Sequence, residues 1–274
     1  MPELPEVETV RRTLRTVLLG RRIDRVHVYD RRLRYPVQVQ TLRRRVQGQR
    51  IRDIHRRAKY LLLELEDGHH VLVHLGMSGR LVVTPKDAPR LPHVHVVFSL
   101  ENDHELRFRD PRRFGLVAAL TPRGVKTDRR LTKLGVEPLS DGFSADEFYR
   151  RTRRLQKPVK NYLMDMKELV GVGNIYANEA LFQAGIRPTC PVGRIGLSRW
   201  GRLVECVKGV LVEAIEQGGT TINDFQDGTG DEGFFQQRLQ VYDRAGEACS
   251  RCEGMIRRVI LAGRSTFYCP RCQR

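Results

Sequence analysis

The sequence is short of acidic residues and of long apolar runs, and each shortage narrows what the chain can be. Asp and Glu number 32 against 49 Lys and Arg, giving a formal net charge of +17 and a pI near 10.2. The excess is mainly arginine, whose planar fork suits phosphate, so a polyanion is the expected partner and nucleic acid the commonest one. No apolar stretch approaches the ~20 residues that cross a bilayer, and no basic amphipathic helix dominates, so a membrane partner is not expected. The start carries no charged-then-apolar signal segment, so secretion is not expected either. Internal repeats and low-complexity tracts are absent. Cysteine is sparse outside one place: four of the six lie in the last 26 residues. Cys190 and Cys206 are left as free thiols, a usage that fits a reducing cytosol.

What remains is ample for two domains with a small appendage, since 40% of the 274 residues are hydrophobic. The opening stretch runs Met1-Pro2-Glu3-Leu4-Pro5-Glu6-Val7-Glu8. The small residue after Met1 favours removal of the initiator methionine, which would leave Pro2 as the amino terminus. Its secondary amine would hold a proton less firmly than lysine, since an α-amino group titrates near ~8 and lysine near ~10.4. Glu3 is adjacent, and Pro5, Glu6 and Glu8 read as the first turn of a helix whose positive end disfavours a nearby proton. Amine and carboxylate together read as a nucleophile with its acid/base partner; proline and acids also simply start helices.

The opening helix is expected to run through Leu14 to Leu18 and stop at Gly20. Strand patterns follow at Tyr60–Leu65, Val71–Leu75, Gly79–Val83, His93–Leu100, Glu105–Arg109 and Phe114–Leu120, with Asp67-Gly68 as a hairpin turn. Short strands and tight turns predict an antiparallel sandwich or barrel. Residues 121–135 read as a basic linker. Helical spacing then covers Ala145–Leu155, Val159–Met166, Ile175–Ala184 and Ser198–Gln217. The glycine- and aspartate-rich stretch Gly218–Gly233 reads as a mobile loop able to close over a ligand. The fold class is therefore α+β. Three parts are expected: a β-sandwich over 1–130, a helical domain over 131–240 and a cysteine-bearing segment over 241–274.

Cys249-x-x-Cys252 and Cys269-x-x-Cys272 stand 16 residues apart, the spacing of a four-thiolate zinc site. Between them Met255–Leu261 and Ser265–Tyr268 read as strands joined at Ala262-Gly263-Arg264, so one structural zinc would clamp a hairpin with Arg264 at its tip. Gly171-Val172-Gly173-Asn174 precedes a helix, where backbone N–H groups approach phosphate. It lacks the strand and lysine of a P-loop, which disfavours nucleotide hydrolysis. Arg56-Arg57-Ala58-Lys59-Tyr60 is a basic strand edge able to offer a phosphate contact or a proton. Asp110-Pro111-Arg112-Arg113-Phe114-Gly115 presents arginines with one aromatic, and His74-Leu75-Gly76-Met77 presents a flexible apolar residue. Both suit an apolar wedge that fills a gap in a base stack. His93 and His95 are expected on one strand face, as phosphate-binding or surface residues.

These residues, met in order along essentially the whole chain, resemble bacterial formamidopyrimidine-DNA glycosylase, a base-excision family for oxidised purines. The resemblance rests on Pro2 to Thr9, Arg57 to Tyr60, His74 to Gly79, Asp110 to Gly115, Gly171 to Tyr176, Gln217 to Thr221 and the hairpin ending Phe267-Tyr268-Cys269-Pro270-Arg271-Cys272. It implies an N-terminal sandwich, a helix–two-turn–helix DNA-binding domain over 131–240 and a zinc finger over 241–274. It also implies that Pro2 forms a Schiff base, that Glu3 and Lys59 move protons, and that Arg264 serves the second of two strand-cutting eliminations. Met77, Arg112 and Phe114 match the residues that fill the vacated stack. His74, His93, Lys160 and Asn174 match DNA contacts, Glu6 lines the pocket, and Gly218–Gly233 matches the loop over the flipped base. The implied partner is duplex DNA carrying an oxidised purine or abasic site, bound by a monomer in a bacterial cytoplasm, at the nucleoid. Met166, Glu168, Asp243 and the segment Arg153-Arg154-Leu155-Gln156 depart from the family pattern. Two other readings are an endonuclease VIII-like enzyme for oxidised pyrimidines, which typically carries glycine in place of Leu4, and a non-catalytic zinc-hairpin DNA-binding protein.

Overall fold

The structure, a computed structural model, describes residues 1–220 and 235–274. The expected loop Gly218–Gly233 therefore lies outside the described residues from Thr221 onward. The chain divides into two compact units, one of Met1–Thr132 with the described part of Gln217–Gln236, the other of Lys133–Glu216 with Gln237–Arg274.

The first unit begins with α1 (Leu4–Leu18), whose Val7, Val10, Leu14 and Leu18 recur at helical spacing and are all buried. Gly20, at φ +75°, turns the chain beyond it. There follow β1 (Ile23–Val28), α2 (Val39–Val46), β2 (Ile51–Arg57), β3 (Tyr60–Leu65), β4 (His70–His74), β5 (Arg80–Pro85), β6 (Val94–Leu100), β7 (His104–Arg109) and β8 (Leu116–Leu120). They form two antiparallel four-stranded sheets, ordered β1-β6-β7-β5 and β2-β3-β4-β8. Leu61, Leu63 and Val73 of one sheet share a core with Phe98, Leu106 and Phe108 of the other, and α1 contributes Val7 to Leu18. This is the expected sandwich.

The stretch read as a linker is not irregular. It holds α3 (Pro122–Thr127) and α4 (Arg129–Thr132). Thr121 caps α3 by accepting the Gly124 N–H at 2.9 Å, and Pro122 supplies a preset φ at the first helical position.

The second unit contains α5 (Ala145–Thr152), α6 (Val159–Leu163), α7 (Asn174–Gln183) and α8 (Leu197–Glu216), then β9 (Arg257–Leu261) and β10 (Arg264–Tyr268). Phe143, Phe148, Tyr162 and Trp200 fill its centre, with Phe148 edge-on to Phe143 at 4.8 Å and tilted against Trp200 at 5.7 Å. Ala262 (φ +46°) and Gly263 (φ +73°) make the two-residue turn between β9 and β10. Arg264 is thereby the first paired residue of β10, opposite Leu261, and not part of the turn.

Candidate active site and metal centre

In the first unit the start of α1 is enclosed. Pro2 is buried, and Glu3 and Glu6 are 3% and 2% exposed. The Glu6 carboxylate is shared between two tasks. Its Oε2 accepts the Glu3 N–H at 2.7 Å, while Oε1 accepts the N–H and hydroxyl of Thr220 at 2.9 and 3.2 Å. One carboxylate thus fixes the first turn of α1 and the segment ending at Thr220. Lys59 arrives on the two-residue turn Ala58-Lys59, with Arg57 paired to Tyr60. Ala58 takes φ +53°, which a non-glycine residue seldom adopts, and Lys59 is 6% exposed. Burial holds the Met1 amine below its ordinary value of 8.0. Glu3 and Glu6 act in the opposite sense, and Lys59 and Arg112 depress it further.

His74 closes β4. Its Nδ1 accepts the Gly76 N–H at 2.9 Å, and its pKa is pushed down to about 4 by burial and then by Lys59 and Arg34. The neutral ring therefore carries its proton on Nε2, which is a donor. Two turns rise beyond it. Met77 is 38% and Phe114 45% exposed, and the Arg112 guanidinium stands 5.1 Å from the Phe114 ring centroid. Arg113, at φ +60°, is ion-paired with Asp30 at 2.6 Å.

His93 is exposed, at φ +69°. The expectation of one shared strand face, as phosphate-binding or surface residues, is corrected for His95. His93 precedes β6, whereas His95 lies within it, buried like every other residue of that strand, with Nε2 2.8 Å from the Asp110 carbonyl.

In the second unit a row of polar side chains on α6 and α7 grips β10. Lys160 is 1% exposed, and its ammonium donates to Ser265 O at 3.0 Å and Thr266 Oγ1 at 2.6 Å. Its charge is used inside the protein, not at the surface. Asn174 Nδ2 donates to the same Ser265 carbonyl at 3.1 Å, and Asn178 Oδ1 accepts the Phe267 N–H at 2.9 Å. Glu179, one residue on, takes the N–H groups of Gln240, Val241 and Tyr242 at 2.9, 3.0 and 2.8 Å. Arg264, next to this row, is exposed.

Sequence reasoning missed Asn178, Glu179 and the carboxylate of Asp110. The only local signal was a polar residue on the inward side of an apolar helix, or next to a strand end.

The four cysteines of the C-terminal pairs come together, their Sγ atoms all within 4.8 Å of one another, the closest pair 3.4 Å apart. That exceeds a disulfide's ~2.05 Å. It suits tetrahedral zinc, whose ~2.3 Å bonds set sulfurs ~3.8 Å apart. Backbone N–H groups of Arg251 and Cys272 point at Cys249 and Cys269 sulfur at 3.5 Å, as thiolates require. Four sulfurs leave no open position, so the metal is structural.

Comparison with known proteins agrees with this geometry. Residues 1–117 match the formamidopyrimidine-DNA glycosylase N-terminal domain, residues 134–226 its H2TH domain, and residues 246–274 the zinc finger found in FPG and IleRS. The formamidopyrimidine-DNA glycosylases of Hahella chejuensis and Acidithiobacillus ferrooxidans are 48% and 50% identical over 274 residues, covering 100% of both chains. Among solved structures, a Lactococcus lactis FPG mutant complexed with Fapy-dG-containing DNA superposes with a TM-score of 0.92 at 34% identity, with 100% of each chain covered. The Lactococcus lactis Fpg complex with abasic-site DNA gives 0.91 at 34% identity, covering 99% of each. The chain belongs to the formamidopyrimidine-DNA glycosylase family, the zinc-bearing DNA glycosylases and AP lyases of base excision repair.

Proposed function

We propose that this chain excises oxidised purines (8-oxoguanine and formamidopyrimidines) from duplex DNA and cuts the strand at the resulting site, using Pro2 as nucleophile. The observation that carries the reading is a buried Pro2 beside a buried Glu3, with Lys59 and Arg112 close enough to depress the Met1 amine that precedes it. Removal of Met1 leaves the Pro2 amine in surroundings that disfavour its charge. After removal of Met1 the Pro2 nitrogen attacks the sugar C1′, the glycosidic bond breaks, and the base leaves with a proton. Loss of the N–H proton frees the nitrogen lone pair, which breaks the C1′–O4′ bond to open the sugar ring and form an iminium at C1′, with O4′ taking a proton. The iminium acidifies the C2′ hydrogens, and removal of one of them expels the 3′ phosphate. Glu3 manages protons on sugar and base, Lys59 assists as proton donor, and Arg264 serves the second elimination at the 5′ side. Met77, Arg112 and Phe114 fill the vacated stack.

His74, as a neutral ring with Nε2–H, donates to a phosphate without needing a charge. Asn174 and His93 are assigned to the phosphate backbone as well. Lys160 serves indirectly, by holding β10. Glu6 shapes the pocket by fixing Glu3 and Thr220. The chain works as a monomer in the bacterial cytoplasm, at the nucleoid.

Borohydride trapping tests the reading. Duplex carrying 8-oxoguanine opposite cytosine is expected to yield a covalent complex that Pro2→Gly abolishes. Trapping only on an oxidised pyrimidine would move the chain to the endonuclease VIII-like reading, and no trapping on any lesion would refute the amine mechanism.

A further inference from the structure

The two turns that carry Met77 and Phe114 lie far apart in sequence, yet one buried carboxylate joins them. Asp110 is 0% exposed. Its Oδ1 accepts the Ser78 hydroxyl at 2.8 Å, and its Oδ2 accepts the Gly115 N–H at 2.7 Å. The Ser78 oxygen in turn accepts the Arg112 N–H at 3.3 Å, so the turn after Met77 is bonded to both flanks of the Arg112–Phe114 turn. The Asp110 carbonyl is itself held by His95 Nε2 at 2.8 Å and by the Arg113 N–H at 3.2 Å. The backbones touch as well. A Cβ on Gly76 would lie 2.6 Å from Gly115 N and from Phe114 C, and one on Gly115 would lie 2.9 Å from His74 O.

We propose that Ser78 and Asp110 are positioning residues that lock these two turns into a single rigid wedge for extruding a nucleotide from a duplex. The proposal rests on the reading of Met77, Arg112 and Phe114 as that wedge. Met77 and Phe114 are both exposed at the surface, so their aim depends on the backbone beneath them. An apolar side chain holds a base stack open only if its turn does not yield to the closing pressure of the stack. Asp110 supplies that stiffness because each of its oxygens takes a donor from a different turn. Serine suits position 78 because its hydroxyl donates to the carboxylate and accepts the Arg112 N–H at once.

The test separates extrusion from strand chemistry. Single-turnover excision of 8-oxoguanine from duplex needs the wedge, whereas cleavage of single-stranded DNA with a preformed abasic site has no stack to hold open. Ser78→Ala is expected to slow duplex excision by roughly 10- to 100-fold, the scale of a misplaced positioning group, and to leave single-strand cleavage within about twofold. Ser78→Thr, which keeps the hydroxyl, restores most of the duplex rate. Asp110→Asn, which keeps shape and loses charge, shows the same selective loss. Equal loss on both substrates, with a matching fall in melting temperature, would show a general structural role and overturn the proposal. Duplex excision by Ser78→Ala within about twofold of the unaltered chain would overturn it too. Met77→Ala and Phe114→Ala run alongside. If neither slows duplex excision, the wedge reading itself is wrong, a failure distinct from that of a working wedge that does not need its tether.

Discussion

Replacing His74 with asparagine should remove a pH-dependent part of this protein's stability without removing the bond that His74 makes. The Asn side-chain oxygen occupies the place of Nδ1, so it can accept the Gly76 N–H that His74 now accepts at 2.9 Å. It cannot be protonated in the accessible range. His74 itself is held neutral, its pKa lowered from 6.5 to about 4 by burial first, then by Lys59 and Arg34; the Tyr60 ring lies 4.8 Å away. A group whose folded pKa is depressed binds fewer protons folded than unfolded between the two values. For this histidine the native state therefore loses stability as pH falls from about 6.5 towards 4. At 1.36 kcal/mol for each pH unit between those values, the loss amounts to ~3 kcal/mol. For a unit of this size that is roughly 6–12 °C in melting temperature. Thermal melts of both chains from pH 7 to pH 4 measure it. Both lose their zinc thiolates in acid, so the difference between the two curves isolates His74. The unaltered chain should fall more steeply by about that amount, so that two curves lying close together at neutral pH separate in acid. Parallel curves across the whole range would refute a neutral, buried His74, and with it the argument that Nε2 carries the proton.

Two further outcomes follow from features already described. Stripping the metal with a strong chelator should unfold the β9–β10 hairpin and abolish specific DNA binding, read by circular dichroism and gel shift with zinc restoring both; binding that survives in metal-free protein would show that the thiolates are dispensable. In α8, a Cβ on Gly209 would meet nothing within 4 Å and its φ is ordinary, so Gly209→Ala should raise stability by about 1 kcal/mol in thermal melts with unchanged activity.

Much of this architecture was legible because its signals are local. The apolar spacing of Val7, Val10, Leu14 and Leu18 fixed α1, and Asp67-Gly68 marked a turn with Gly68 at φ +82°. The Cys-x-x-Cys pairs gave the metal centre outright. The elements between Gly20 and Tyr60 were harder to separate. In β2 only Ile51 and Ile54 are buried, three apart, because a register shift between Ile51 and Asp53 spoils the twofold alternation. In α2 only Leu42 and Val46 face inward, among three arginines. The candidate site divides in the same way. Pro2 and Glu3 stand out as neighbours in sequence and Lys59 as the end of a basic run, and all three are buried. Asp110 was not singled out, since its partner Ser78 stands 32 positions away and nothing in either residue names the other. The resemblance implies a DNA contact for Lys160, and nothing local reveals its internal bonds, because its partners Ser265 and Thr266 are 105 and 106 positions away.

The grip of α6 and α7 on β10 bears on how this protein could be recombined. The C-terminal module looks detachable, with its own metal and its own hairpin. Its core nevertheless includes Phe182 of α7, which packs with Val241, Cys249, Ile256, Phe267 and Cys269. Its backbone donors at Gln240, Val241, Tyr242 and Phe267 are satisfied by Glu179 and Asn178, and buried Gln273 ties Cys269 to the Ile186 carbonyl. A graft cut at residue 241 would carry the zinc ligands and leave half of their scaffold behind, with buried N–H groups exposed to no acceptor. The smallest exchangeable piece starts before α6, so the turn at Asn174 and the Arg264-bearing strand travel together.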